Sequence, residues 1–283
     1  MYKKIIIILL SYVIFLLAAM SIDGVGYSDW MFLTISFVVF MFAIFLAFTI
    51  SNRRHRIISL RKNLREIDAS LTSLYFYSKN LNPDISRKIL ELIDIFLIAT
   101  IEYKLKDYYK SEPQFIELYE YVNSLKTKNT DEFNTKVSML SQLEMISRSN
   151  KVIQFTILDQ MQPYEWLSII LLSFATIFCL IYINDRSIAS LILIPILETV
   201  ITIIFITIYD LDSLRWQEQN WIWQPLSILF TTLKLLPYFP NDVISKKRVS
   251  NKLLTSIPSY RVAHYKSFCP DNSDKIIEIV HNK

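Results

Sequence analysis

The chain has 283 residues, is 52% hydrophobic and carries 30 Lys and Arg against 26 Asp and Glu, for a net charge of +4. Its apolar residues come in long blocks, which points to membrane spans; its basic residues sit beside those blocks and form no separate basic domain, which argues against a nucleic-acid binder. Gly occurs only twice, at Gly24 and Gly26, so the Walker loop, G-x-G-x-x-G and the G-x-S-x-G elbow are excluded, and long helices are favoured over tight β-turns.

Lys3 and Lys4 precede an apolar run over residues 5–20. The pattern has the outline of a cleaved signal, with small residues at Ala18 and Ala19. The run is long for a signal core, however, and no A-x-A site follows, so a retained first span is expected. A short loop with Asp23 and Asp29 and no basic residue makes a hairpin with the next apolar block. That block, residues 30–50, has no charged residue and is about as long as a helix must be to cross a ~30 Å hydrocarbon core. Arg53, Arg54 and Arg56 follow at once. Ile57, Leu60, Leu64, Ile67, Leu71 and Leu74 then recur at alternating steps of three and four. This is a short heptad seam uninterrupted by Gly or Pro, so one long helix should leave the membrane and become the stem of a helical domain.

The middle of the chain reads as four helices. The stem is the first. Asn82 before Pro83 is an N-cap with proline at the first helical position; Ile85, Ile89, Leu92, Phe96 and Tyr103 line one face of the helix that follows. Ser111-Glu112-Pro113 starts a third, with Phe115, Leu118, Tyr119 and Val122 turned inward. Asn129 with Glu132 resembles a capping box and opens a fourth, which carries Phe133, Val137, Leu140, Leu143 and Ile146 and reaches Met161. Pro163 marks the return to the membrane. Two further apolar blocks, 166–183 and 188–209, are joined by the tight turn Asn184-Asp185-Arg186-Ser187. Basic residues flank the membrane on one side, whereas only Arg186 lies on the other. The positive-inside rule then puts both termini and the middle domain in the cytoplasm.

The expected fold class is an all-α membrane protein: four transmembrane helices in two hairpins with an all-helical cytoplasmic domain between them. The expected divisions are a first hairpin at 1–50, the cytoplasmic domain at 51–163, a second hairpin at 164–209, and an aromatic-rich juxtamembrane segment and cytoplasmic tail at 210–283. In that last part Trp216, Trp221 and Trp223 fall close together, and Tyr238 and Phe239 follow. They read as side chains at headgroup depth. A short apolar helix over 225–236 should lie on the membrane or pack under the bundle, and the basic tail from Lys246 onward should be solvated or sit near anionic lipid.

Three groups of residues could carry chemistry. Glu198 lies in the middle of the fourth span, three residues after Pro195. A carboxylate there must face protein, water or a partner. It is either an ion or proton site, or a protonated, hydrogen-bonded group with a structural role, with Thr199, Thr202, Ser168 and Ser173 as candidate partners. Asp210, Asp212 and Glu218 could hold a cation, though Asp212 and Arg215 are spaced to pair on a helix surface. Phe40, Ile44 and Phe48 recur at steps of four on the second span. They could close a pore by dewetting if several subunits supplied them, or face lipid and helices. Cys179 and Cys269 lie in unlike surroundings, and His55, His264 and His281 are scattered. No disulfide, metal or cofactor is therefore expected.

Glu66-Ile67-Asp68-Ala69-Ser70-Leu71-Thr72, followed by Leu81-Asn82-Pro83, is similar to the Glu-x-Asn-Ala stretch and downstream Leu-Pro of the bestrophin-like membrane proteins of bacteria. Pro163-Tyr164-Glu165-Trp166 resembles that family's Pro-x-x-Trp entry into its third span. The resemblance covers residues 1–210; Asp68 stands where the family has Asn, and the aromatic segment after Asp210 is an addition. The resemblance implies a homo-oligomeric, anion-channel-like protein, although an ionised Glu198 would repel an anion. The resulting expectation is a multi-pass protein of the cell inner (plasma) membrane that contacts the lipid bilayer, passes an ion and binds no nucleic acid. The alternative is a non-conducting scaffold whose helical domain binds a partner protein. No motif groups the carboxylates with a nucleophile or metal, so an enzyme is not expected.

Overall fold

The computed structural model describes residues 2–25, 29–103, 105–215, 218–265 and 275–282. Gly26, Trp216 and Cys269 lie outside the described residues, as does the side chain of Lys3. In chain order the elements are α1 (Tyr2–Ser21), α2 (Asp29–Ser78), α3 (Pro83–Glu102), a 3-10 segment (Leu105–Ser111), α4 (Glu112–Ser124), α5 (Thr130–Leu158), α6 (Pro163–Tyr182) and α7 (Ile188–Asp212). A π turn (Gln219–Trp223), α8 (Gln224–Thr232), β1 (Tyr238–Pro240), α9 (Asn241–Ser245), α10 (Asn251–Ser256), β2 (Ser259–His264) and β3 (Ile276–His281) complete it. Among the described residues four helices are long and apolar enough to cross a membrane: α1, α2, α6 and α7. The chain divides into two compact units, Met1–Ile57 with Gln160–Trp216 and Ile58–Asp159 with Gln217–Lys283.

In the first unit α1 packs along α7. Phe42 and Leu46 of α2, Ile169 of α6 and Ile201 and Ile208 of α7 form a common apolar cluster with Met161. A polar lock closes one end. The Asn184 side-chain amide donates to the carbonyls of Ala19 (2.7 Å) and Ile22 (3.3 Å), while the Val25 amide donates to the Tyr182 carbonyl at 2.9 Å. The chain comes so close here that a Cβ on Gly24 would stand 2.6 Å from the Tyr182 carbonyl oxygen, a contact only glycine avoids.

In the second unit the stem half of α2 buries the seam: Leu60, Ile67, Leu71 and Leu74 are buried. Ser70 meets the Met145 sulfur, and Ser149 donates to Glu66, tying the stem to α5. Both sequence-read caps form. The Asn82 side chain accepts from the Asp84 amide at 3.0 Å, and that of Asn129 from the Glu132 amide at 2.8 Å. The Glu132 carboxylate turns back to the Lys128 amide. The inward face of α5 is Met139, Leu143, Ile146, Ile153 and Ile157. Phe133 and Val137, expected inside, are exposed, as is Tyr119 on α4; α5 ends at Leu158, short of Met161. Phe133 and Val137 lie in the first turns of α5, ahead of the buried face that begins at Met139.

The tail corrects a larger expectation. It is folded: β1 runs parallel to β2, with Tyr238 opposite Arg261, and β2 runs antiparallel to β3, with Ser259 opposite His281. Pro240 sits on the edge strand, where its missing amide costs no ladder bond. Arg261 holds the sheet to α3 through two parallel 2.7 Å bonds to Asp94, the strong bidentate geometry. Trp221 and Trp223, read as headgroup anchors, are each only 4% exposed within this unit; their area goes to a protein core.

Replacing Asn184 by Ala would leave the Ala19 carbonyl without its donor, at a cost of about 1–3 kcal/mol. The unfolding midpoint in detergent should fall by several degrees; an unchanged midpoint would remove Asn184 from the lock.

Candidate functional site

Glu198 is fully buried in α7, and neither carboxylate oxygen has a hydrogen-bond partner among the described residues. The hydroxyls expected to meet it are spent on their own helices. Thr199 donates to the Pro195 carbonyl (2.6 Å), Ser173 to Ile169 (2.7 Å) and Ser168 to Tyr164 (2.9 Å), while Thr202 approaches the backbone oxygen of Glu198 itself at 3.5 Å. Such back-bonding is the usual fate of a helical hydroxyl that has no water. A carboxylate deprived of water and of donors is costly, so packing alone does not account for Glu198.

The α2 span has two faces. Phe42 and Leu46 are buried against the cluster with α6 and α7. Phe40, Ile44 and Phe48 point away and are 58%, 37% and 66% exposed. The same helix therefore presents a continuous apolar face that nothing in its own chain covers among the described residues.

Asp210 and Asp212 end α7, and each has a basic partner. Lys4 pairs with Asp210. Asp212 accepts from Arg53 at 3.5 Å and from the Met161 amide at 2.9 Å, with Arg56 at 3.6 Å; Arg56 also donates to the Asp212 carbonyl at 2.7 Å. Arg215, the partner that spacing suggests for Asp212, instead donates its backbone amide to the Asp210 carbonyl at 3.0 Å. Long-range partners displaced the local one because Arg53 and Arg56 are themselves buried and need a carboxylate. Glu218 belongs to the second unit, where Arg248 and the Trp223 indole donate to it. The structure thus does not gather the three carboxylates, and among the described residues no group of three His, Cys, Asp or Glu could hold a metal.

A cavity of about 90 Å³ lies inside the second unit, lined by Ile67 and Asp68 of α2, Phe96 and Leu97 of α3, Tyr108 of the 3-10 segment and Trp221 and Trp223 of the π turn. A π turn is a rare, widened helix that often marks a functional place. Tyr108 donates to the Asn150 side chain at 2.8 Å, and burial pushes its phenol well above the ordinary range. Asp68 is different. Among the described residues no hydrogen bond to its carboxylate is formed, and burial pushes it up to about 6 from 3.8, against the pull of Arg65. Sequence reasoning noted Asp68 only as a departure from a family stretch. The available signal was its spacing: it lies four residues after Leu64 and beside Ile67, on the seam's own side.

Four apolar helices of spanning length among the described residues define an integral membrane protein. The profile of the Bestrophin-like domain matches residues 8–214, and the chain belongs to that family. It is also similar to a solved crystal structure of a membrane protein, with a TM-score of 0.62 at 14% identity over 83% of this chain and 97% of that one, a likeness of fold. No curated protein matches it. Residues 218–282, with both buried tryptophans and the sheet, lie beyond the family match.

Asp68 supplies a prediction with a definite sign. Its folded-state carboxyl is raised, so the folded protein holds a proton that the unfolded chain releases between about pH 4 and 6, and stability falls as pH rises through that window. Asp68→Asn should remove this slope and stabilise the protein by about 1–3 kcal/mol at neutral pH. Unfolding midpoints measured from acid to neutral pH read it directly; a destabilised variant would contradict the burial of an unpaired charge.

Proposed function

We propose that the protein is a bestrophin-like ion conduit, assembled from several copies around the outward face of α2. The single observation that carries this is the apolar face Phe40, Ile44 and Phe48, turned away from the core of its own chain. A helix buried among its own neighbours would suit a non-conducting scaffold; this one has a face left for symmetry mates, where rings of Phe and Ile could gate by dewetting. Glu198, buried without a donor, is the candidate for cation or proton binding, and it favours cations over anions in such a path. In this reading the four spans form two hairpins in the inner (plasma) membrane. The helical domain and both termini face the cytoplasm, on the side of Arg53, Arg54 and Arg56, and no catalytic step is involved. A second reading, a scaffold that docks a partner protein, draws on Phe155 and Leu158 of α5, which are 76% and 72% exposed.

Reconstitution into vesicles with flux measurement tests conduction. The expected result is ion flux that Glu198→Gln alters in size or pH dependence while the fold survives; flux identical to wild type from about pH 5 to 8 would return Glu198 to a structural role. With the native cysteines replaced, Phe40→Cys should cross-link between copies. A monomer without flux would favour the scaffold. Asp23→Cys in the same background should react with an impermeant thiol reagent on intact cells, whereas labelling of Thr130→Cys would reverse the orientation.

A further inference from the structure

The cavity beside Asp68 in the second unit is lined by none of the residues proposed for conduction, and its chemistry is specific. Three charged residues line it: Asp68, Glu218 and Arg248. Glu218 and Arg248 neutralise one another in a two-point ion pair, and Arg248 lies over the Trp223 ring with its guanidinium carbon 6.0 Å from the centroid. The remaining charge on the wall is that of Asp68. Arg65, whose charge acts on Asp68, is exposed and does not line the cavity. Apart from Thr100, whose hydroxyl donates to the Leu97 carbonyl, the other walls are apolar or aromatic, with Phe96, Trp221 and Trp223 all buried. A water needs roughly 10–15 Å³ of such space, so about 90 Å³ has room for a molecule of a handful of non-hydrogen atoms.

We propose that this cavity binds a small organic cation, an ammonium group on a short apolar body, with the ammonium on the Asp68 carboxylate and the body against the Trp221 and Phe96 rings. An anion would meet an unpaired carboxylate and is repelled. A neutral apolar molecule would displace water from that half-buried carboxylate and return no donor to it, which is costly. An ammonium supplies the donors, and the Phe96 face attracts its positive charge, while the Trp221 and Trp223 rings already carry the guanidinium groups of Arg61 and Arg248, each with its carbon 6.0 Å from the centroid. Pockets that combine apolar walls with a few placed polar groups are the usual form of a small-molecule site. The walls come from both sides of the family match, with Asp68 and Phe96 inside it and Trp221 and Trp223 beyond it. The site is therefore built jointly by the matched span and the segment beyond it, and a ligand there would clamp the π turn to the stem of α2 within the second unit.

The test uses the full chain purified in detergent at about pH 8, where Asp68 is ionised. n-Butylammonium, n-butanol and butyrate are titrated in turn, with tryptophan fluorescence and the unfolding midpoint as readouts. Butylammonium should bind saturably and raise the midpoint, with butanol and butyrate at least tenfold weaker. Asp68→Asn should keep or raise the midpoint of the free protein yet bind butylammonium at least tenfold more weakly, whereas Arg65→Gln should bind it as tightly or more tightly. Equal binding of butanol would reduce the cavity to an apolar hole. Equal binding of butyrate, unaltered binding by Asp68→Asn, or no saturable effect of butylammonium in wild type would each overturn the proposal, and the ligand series on wild type decides it even if a variant fails to fold.

Discussion

Asp212 is the point where three segments of the first unit are held together: Arg53 and Arg56 at the end of the α2 span, the Met161 amide at the entry to α6, and the last turn of α7. Apolar helices in lipid have little hydrophobic reason to prefer one register, because acyl chains solvate them about as well as they solvate each other. A buried ion pair adds little net stability, but an arrangement that broke it would strand a charge. Asp212 therefore acts chiefly by penalising other alignments. Asn184 does the same at the far end with neutral bonds to the end of α1. Between the two nodes the packing of Phe42, Ile169 and Ile201 can be almost featureless.

The second unit follows the same rule with different groups. Glu102, at the buried end of α3, accepts from Tyr238, Tyr265 and Lys275, so one carboxylate gathers β1, the end of β2 and the start of β3. Burial and the shared carboxylate hold both phenols well above their ordinary range, which keeps them as donors at any ordinary pH. Arg261 adds its fork to Asp94 and lies near the rings of Phe230 and Tyr238. With these nodes the tail becomes part of the helical core, and the π turn is pressed into place with its tryptophans inward. The cavity beside Asp68 is the space left where that turn and the stem do not fill each other.

Much of this architecture was legible in the residues. Four apolar blocks, charged only at Glu198 in the fourth, the uninterrupted passage from span to seam in α2, and the caps at Asn82 and Asn129 are local properties, each expressed within a few turns of chain. The family stretch from Glu66 and the proline entry at Pro163 were legible for the same reason. Site residues were less so. Glu198 stood out because a carboxylate in an apolar run is conspicuous, but its want of a donor was not readable, since Thr199 and Ser173 had other carbonyls to choose. Asp212 pointed to Arg215 by spacing, and only packing brought Arg53 and Arg56 across 159 and 156 positions instead.

What the sequence by itself determined was the solvent of each helix, because hydrophobicity is carried by side chains one at a time and sums along the chain without reference to neighbours. Only the tertiary structure decided which polar group meets which, that Trp221 and Trp223 serve a core, that the basic tail makes a sheet, and that Asp68 faces a cavity. A tryptophan suits a headgroup layer and a protein interior equally well, and a carboxylate suits any cation that reaches it. Such side chains have several satisfactory environments, and the choice among them rests on contacts between residues far apart in the chain.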